Sequence, residues 1–294
     1  MTLSENNKRI AKNTLFLYFR SIIALGIGLY TSREILRQLG ISDFGIYNVV
    51  GGVIVLFSFI QSAMSNATSR FFTFDLGVGD VEKLKKTFSL GVIIHIFTAF
   101  IILILGETIG LWFLNTQLEI PADRMGAANF VYQFSVISAC IGILQIPYSV
   151  AINAHERMKT IAYMDIADAV FKLIVVLLLG FSPIDKLKFY AVLLLMVYII
   201  LIVFSRIYCY KNFPETHFKW FWNKKMFWER MQFSGWTTLG GVSAIAGYQG
   251  VNMLLNVFYG VTANAAFGIM HQVSSRVALF VNNISTAINP QITK

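Results

Sequence analysis

Long apolar blocks separated by short polar segments dominate the chain. Each block holds about 20 mostly apolar residues, the length that an α-helix needs to cross the hydrocarbon core of a bilayer. Lipid offers no hydrogen-bond partner to an open strand edge, so we predict an all-α polytopic membrane protein. The eight predicted transmembrane helices cover residues 13–33, 44–69, 86–106, 126–149, 161–181, 187–208, 232–258 and 266–290.

The composition supports a membrane protein. Apolar and aromatic residues make up 56% of the 294 residues, charged residues make up 13%, and the mean hydropathy is +0.64. A water-soluble domain with an ordinary polar surface does not have this balance. Cys140 and Cys209 lie within or at the end of predicted helices, which favours neither a disulfide nor a metal site.

The net charge is +9, and the distribution of the Lys and Arg residues along the chain agrees with the predicted topology. With the N-terminus in the cytoplasm, sixteen of the 24 Lys and Arg residues lie on inner segments and three lie within spans. Such an excess of inner cations fits the positive-inside rule, so the charge indicates orientation and not nucleic-acid binding. The remaining five lie on outer segments: Arg33, Arg37, Arg124, Lys186 and Lys188.

An internal repeat predicts two lobes. Residues 45–71 align with residues 268–294, and the Gly40–Gly45 corner before the first copy recurs as Gly260–Gly268. Six spans separate the copies, so both have the same orientation and the lobes are related by an axis along the membrane normal. We therefore expect an N-lobe of six helices over 1–209 and the first two helices of a C-lobe over 232–294. On this interpretation the chain is a C-terminally truncated fragment.

The segment between the lobes, 210–231, is rich in aromatic residues and lysines. Three of the five tryptophans, Trp220, Trp222 and Trp228, fall within nine residues on a predicted inner segment. Aromatic rings interleaved with lysines favour an amphipathic helix that lies in the headgroup layer. We predict a cytoplasmic amphipathic linker here.

Three cations fall inside predicted spans, where a charge usually faces a bundle or a wet cavity. They are Arg20, Lys172 and Arg276, and Asp168 lies one helical turn before Lys172, so the two could form an ion pair. The alternative for Arg20 is that its side chain reaches back to the inner headgroups. Polar stripes on the second, seventh and eighth helices add further candidates for a cavity wall: Ser62, Gln249, Asn252, Asn256, His271, Ser275 and Asn282.

These stripes together predict a water-filled cleft between the lobes, lined by the first, second, seventh and eighth helices. Ordinary hydrogen bonds between helices are the alternative for any one Ser or Asn. An enzyme is not indicated, because the four histidines are scattered and no triad or metal-ligand spacing is present. We expect no cofactor and no metal.

Three stretches carry a family resemblance: "REILRQLGISDFGIYNVVGGVIVLFSFIQSAMSNATSRFF", "GVGDVEKLKKTFSLGV" and "QIPYSVAINAHERMKTIAYMDIADAVFKLIVVLLL". They resemble the Wzx-type polysaccharide flippases of the multidrug/oligosaccharidyl-lipid/polysaccharide (MOP) exporter superfamily. The resemblance implies a MATE-like fold with two pseudo-symmetric lobes of helices in the bacterial inner membrane. It also implies movement of undecaprenyl-diphosphate-linked oligosaccharide between leaflets for O-antigen, capsule or exopolysaccharide synthesis.

On this resemblance, cations of the cavity meet the anionic diphosphate, and by position Arg20, Arg276 and Lys172 match that role. The implied partners are the lipid-linked substrate, membrane lipids, and a polysaccharide polymerase with its chain-length regulator. A multidrug or cation antiporter of the same superfamily is the first alternative, although it would prefer an acidic cavity. A membrane glycan polymerase or acyltransferase is less compatible, because the longest outer segment contains no His.

The cleft prediction is testable by thiol labelling. In a variant without the two native cysteines, Asn252→Cys, His271→Cys and Asn282→Cys are each expected to react with a membrane-impermeant maleimide added outside. Gln117→Cys, on a predicted outer loop, is the positive control. Labelling of the loop cysteine alone would contradict a water-filled cleft.

Overall fold

The computed structural model describes residues 3–55, 58–118, 120–240, 274 and 278. Within these residues the chain is predominantly helical and contains no strand, in agreement with the predicted fold class. Eight α-helices follow one another: α1 (Leu3–Val55), α2 (Ser58–Val78), α3 (Val81–Leu105), α4 (Leu111–Thr116), α5 (Met125–Ala154), α6 (Met158–Leu178), α7 (Lys186–Asn212) and α8 (224–240).

Three of the described helical segments are long and apolar enough to cross a membrane. They are Val81–Thr116, Met125–Ala154 and Lys186–Asn212, and they contain the predicted third, fourth and sixth spans. The predicted fifth span largely overlaps α6, which has a suitable length but carries four charged residues, Lys159, Asp165, Asp168 and Lys172. These charges are the reason that α6 is less apolar than its neighbours.

The Val81–Thr116 span contains one wide turn. A π-helical segment, Gly106–Gly110, joins α3 to α4, and the Tyr132 hydroxyl of α5 donates a hydrogen bond to the Gly106 carbonyl oxygen (2.7 Å). A Cβ atom at Gly110 would lie 2.0 Å from that hydroxyl oxygen. Only glycine therefore fits at this position, and the ring of Tyr132 is completely buried against the segment.

The break in the helix at the Gly40–Gly45 corner covers fewer residues than the sequence predicts. Helical geometry is interrupted only at Gly40, with φ 77° and ψ 170°, and the helix resumes immediately after it. A left-handed φ of this kind suits glycine, because a Cβ atom would clash with the backbone. The predicted second span, 44–69, thus comprises the end of α1 and about half of α2.

Two apolar clusters fill the bundle, one towards each end. The cluster near Gly40 includes Val50, Leu114, Tyr132 and Leu187, and the other includes Phe72, Phe88, Leu90, Ile102 and Ile152. Helix α5 contributes to both clusters and packs against α1, α2, α3 and α7, so it is the central helix of the bundle. We refer to the end with Gly40 as the outer end, following the predicted orientation.

An ion cluster joins three chain segments at the outer end. Arg124, just before α5, donates hydrogen bonds from Nε and Nη2 to the two carboxylate oxygens of Asp43 (2.9 and 2.6 Å). Its Nη1 donates to Asp185, just before α7 (2.5 Å). Asp43 follows the Gly40 break, so one guanidinium fixes the positions of α1, α5 and α7 relative to one another.

The segment after α7 differs from the predicted amphipathic helix. Residues 213–223 contain only a 3₁₀ turn, Pro214–Thr216, and fold back against the inner end of the bundle. Glu215 pairs with His155, and Phe213 stacks on the His155 ring with the ring centroids 4.1 Å apart. These contacts hold the segment in a non-helical conformation. The rings of Trp220 and Trp222 are exposed, as interfacial anchors would be.

Arg230 of α8 is a further contact between the segment after α7 and the bundle. It is 7% exposed, and its guanidinium donates to the Thr87 hydroxyl (2.8 Å) and to the Thr87 carbonyl oxygen (3.2 Å). Asp75 lies 3.9 Å away and also accepts a hydrogen bond from Thr87 (2.6 Å). Arg230 therefore attaches the first half of α8 to α3 at Thr87, next to Asp75 of α2.

The outer ion cluster generates a stability prediction. Arg124→Gln should lower the free energy of unfolding by about 1–2 kcal/mol, since hydrogen bonds to charged groups contribute at this level and the cluster is partly exposed. Unfolding in mixed micelles measures the change. Arg37→Gln, which removes an outer cation with a largely exposed side chain, should have little effect.

The same cluster predicts a pH dependence. Burial alone would raise the pKa of Asp185, but its hydrogen bonds from Arg124 and from the Lys188 amide hold the pKa below its ordinary value of 3.8. A lowered carboxylate pKa gives stability that is present above pH 3.8 and is lost as the pH falls through the native pKa. Wild type should therefore lose more stability than Arg124→Gln on acidification below this pH. Equal losses would contradict the assignment.

Candidate functional site

One face of α6 carries three charged residues. Asp165, Asp168 and Lys172 are spaced i, i+3 and i+7, which places them on the same side of a helix. Helix α1 packs against α6, and Arg20 of α1 lies opposite the inner end of this charged stripe. The first and fifth predicted spans thus form the walls of the candidate site.

Each cation of the site has a carboxylate partner. Arg20 Nη1 donates to Asp165 Oδ2 (2.7 Å), and the side chains are 21% and 47% exposed. Lys172 Nζ donates to Asp168 Oδ2 (2.7 Å), with side-chain exposures of 49% and 31%. The Asp168–Lys172 pair has the spacing that the sequence predicted. Arg20 points into the bundle and pairs with α6, which is not the geometry of a side chain that reaches back to the headgroups.

Asp165 was missed by the sequence analysis. A helical wheel of the fifth span contains the signal, because Asp165 precedes Asp168 by three residues and lies on the same face. Its pairing with Arg20, 145 residues away, could not be read from spacing within one helix. This ion pair is important because it neutralises Arg20, one of the cations that we expected to bind the diphosphate.

A cavity of about 660 Å³ separates α1 from α6 at these residues. Both ion pairs line it, and apolar side chains of α1, including Leu25, Leu29 and Ile35, form part of its wall. Asp168 and Lys172 also line a neighbouring cavity of about 400 Å³ between α5, α6 and α7, which includes Ser138 and Tyr198. The charged stripe of α6 therefore faces two neighbouring cavities.

A third cavity, of about 450 Å³, adjoins the inner end of the stripe. Asp165 lines it together with Ser65 and Ser69 of α2, which follow Ser62 by three and seven residues and so continue the polar stripe of the second span. Ser62 of the same stripe is exposed on the α2 surface. The structure thus places Arg20, Asp168 and Lys172 around one cavity and brings part of the α2 stripe next to it.

The rest of the predicted cleft lies outside the described residues. This applies to the candidates on the seventh and eighth predicted helices: Gln249, Asn252, Asn256, His271, Ser275, Arg276 and Asn282.

The charge balance of the described site corrects one expectation. We expected cavity cations that meet an anionic diphosphate, but Arg20 and Lys172 are matched by the carboxylates of Asp165 and Asp168. The described cavity is therefore zwitterionic. Within the described residues, no three His, Cys, Asp or Glu side chains lie together as metal ligands would.

The fold is that of a multi-pass α-helical membrane protein with a charged cavity between its first and fifth spans. Comparison with known proteins finds no matching family model and no matching curated relative. Solved structures do match, and they are multidrug and toxic compound extrusion (MATE) transporters of the MOP superfamily.

Three of these structures illustrate the likeness. The MATE transporter VcmN of Vibrio cholerae in its bent form has a TM-score of 0.82 at 16% identity, over 99% of this chain and 66% of VcmN. An outward-facing MATE transporter of the MOP superfamily has a TM-score of 0.79 at 11% identity, over 97% and 64%. A MOP transporter of Pyrococcus furiosus, described as having a binding pocket of reverse polarity that suggests a different function, has a TM-score of 0.75 at 11% identity, over 97% and 64%.

These values establish a MATE-like fold for the chain. The chain spans about two thirds of the length of the transporters it matches. The described cavity between α1 and α6 accordingly belongs to a fold whose solved examples are membrane transporters.

The ion pair between α1 and α6 generates a prediction for a double-mutant cycle. Arg20→Gln and Asp165→Asn each remove one member of the ion pair, so the double variant should be more stable than the two single losses predict, by about 1–3 kcal/mol. Unfolding in mixed micelles measures the cycle. A second cycle that combines Arg20→Gln with Lys172→Gln is the control, and the coupling free energy between these two residues should be much smaller. A coupling near zero between Arg20 and Asp165 would show that their contact contributes nothing.

Proposed function

We propose that the chain is a transporter of the bacterial inner membrane that moves undecaprenyl-diphosphate-linked oligosaccharide for polysaccharide synthesis, with its N-terminus in the cytoplasm. Substrate enters the cavity between α1 and α6, and Arg20 and Lys172 bind the diphosphate. Arg276 contributes a third cation from the eighth predicted helix. A polymerase and its chain-length regulator receive the product.

The observation that carries this proposal is the coexistence of cations and an apolar wall in one cavity. Arg20 and Lys172 line the same space as Leu25 and Leu29, which are large exposed side chains of α1. A lipid diphosphate is both anionic and strongly apolar, so its binding site needs both kinds of surface. A volume of about 660 Å³ lies within the ordinary range for ligand sites.

Diphosphate binding requires exchange of carboxylate partners. Asp165 is about half exposed when paired with Arg20, so it stays solvated when a phosphate oxygen replaces it. Phosphate suits the planar guanidinium because two parallel hydrogen bonds can form. Lys172 is the more exposed cation and acts as a mobile point charge next to the same space.

A cation antiporter is the second candidate. Asp165 and Asp168 lie on the same cavity wall, and a cationic substrate would exchange for Arg20 and Lys172 at these carboxylates. The flippase would use the cations of the two ion pairs to bind its substrate, and the antiporter would use the carboxylates. They therefore predict opposite effects for substitution of Asp165.

Binding of two probe molecules tests the proposal. Undecaprenyl diphosphate is titrated against the chain in nanodiscs and followed by native mass spectrometry, and ethidium binding is followed by fluorescence. Arg20→Gln should weaken undecaprenyl diphosphate binding about 10- to 100-fold, the loss expected for hydrogen bonds to a charged group. Asp165→Asn should strengthen it, because the competing carboxylate is lost.

Lys211→Gln is the matched control, since Lys211 is exposed at the inner end of α7 and away from the cavity. It should leave both probes unaffected. Binding of ethidium that Asp165→Asn abolishes, together with no binding of undecaprenyl diphosphate, would replace the flippase by the cation antiporter. Equal lipid affinity in wild type and Arg20→Gln would also overturn the proposed site.

A further inference from the structure

The inner cavity of about 450 Å³ has a chemistry different from that of the charged cavity. It lies between α2, α5 and α6, and its polar lining consists of three hydroxyls and two amides in addition to Asp165. Among the described residues, no Lys or Arg lines it. The uncharged polar residues are Ser65, Asn66, Ser69, Ser149 and Asn153.

The side chains of these five residues make no hydrogen bond to any other described residue. Serines elsewhere on the helices behave differently. Ser135 and Ser138 of α5, for example, donate to the carbonyl oxygens four residues earlier (both 2.8 Å), which is the usual way for a helical hydroxyl to find a partner. The hydroxyls and amides around the inner cavity therefore retain their hydrogen-bonding capacity.

One of these groups is buried as well. The Asn153 Oδ1 atom is inaccessible and finds no donor among the described residues. A buried acceptor without a donor costs free energy, and rotation of the Asn153 amide towards the cavity that it lines would let a ligand hydroxyl donate to this oxygen and recover that cost. Asn153 lies at the inner end of α5, one helical turn after Ser149, so the two side chains approach the cavity from the same helix.

We propose that this cavity binds the sugar of the lipid-linked substrate. Sugar hydroxyls donate and accept hydrogen bonds, as do the hydroxyl and amide groups of the lining, whereas a described lining without cations does not favour a phosphate there. Asp165 lines both this cavity and the charged one, so the sugar site adjoins the diphosphate site in the order that the covalent substrate requires. This inference rests on the proposed flippase function.

The experiment compares two probes that differ only in the sugar. Undecaprenyl diphosphate and undecaprenyl-diphosphate-N-acetylglucosamine are titrated against the full chain by native mass spectrometry. Nanodiscs are used because maltoside detergents carry sugar hydroxyls that would compete. Wild type should bind the sugar-bearing lipid about tenfold more tightly, equivalent to one or two net hydrogen bonds.

Variants of the inner cavity should remove this preference. Asn153→Leu and Ser69→Ala should bring the affinity for the sugar-bearing lipid down to that for undecaprenyl diphosphate, and leave the latter within about twofold. Thr116→Ala is the matched control, because its hydroxyl already donates to the Trp112 carbonyl oxygen at the outer end of α4, and it should retain the tenfold preference.

The two lipids distinguish a failure of the proposed sugar site from a failure of the proposed flippase function. Equal wild-type affinity for the two lipids would overturn the sugar site and leave the diphosphate site intact. Binding of neither lipid would overturn the proposed function and the sugar site with it. A sugar preference that persists in both Asn153→Leu and Ser69→Ala would show that the sugar binds elsewhere.

Discussion

A charge inside an apolar helical bundle needs a partner, and the arrangement of this bundle follows from that constraint. Helix α6 presents three charged residues on one face, and that face cannot be covered by lipid without a large cost. It lies instead against α1, where Arg20 neutralises Asp165, while Lys172 neutralises Asp168 within the helix. Because charged side chains retain water around them, the contact between α1 and α6 stays open as a cavity.

Three arginines join sequence-distant segments at three depths of the bundle. Arg124 links the outer turns through Asp43 and Asp185, Arg20 links α1 to α6, and Arg230 attaches α8 to α3 at Thr87. The guanidinium group suits this role because its donors point in several directions and it remains charged in partly buried sites. The apolar clusters between these levels supply packing, and the arginines fix which helix ends meet.

Sequence reasoning succeeded where one helix carries the information and failed where two surfaces must meet. The helical class and the Asp168–Lys172 spacing follow from periodicity along a single segment. The Arg20–Asp165 pair depends on how α1 and α6 are rotated against each other, which hydropathy does not encode. The segment after α7 has helix-compatible aromatic residues, but stacking of Phe213 on His155 and the Glu215 contact outweigh that preference.

The docked segment also determines which part of the chain after α7 belongs to the N-terminal bundle. Because Phe213, Glu215 and Arg230 are buried against this bundle, the residues from the end of α7 to Arg230 are a rigid extension of it. On the proposed transport function, motion of the predicted C-lobe against the N-lobe would bend the chain beyond Arg230, within α8 and not within the connecting loop. Gly235 and Gly240 are the residues of α8 best able to absorb such a bend.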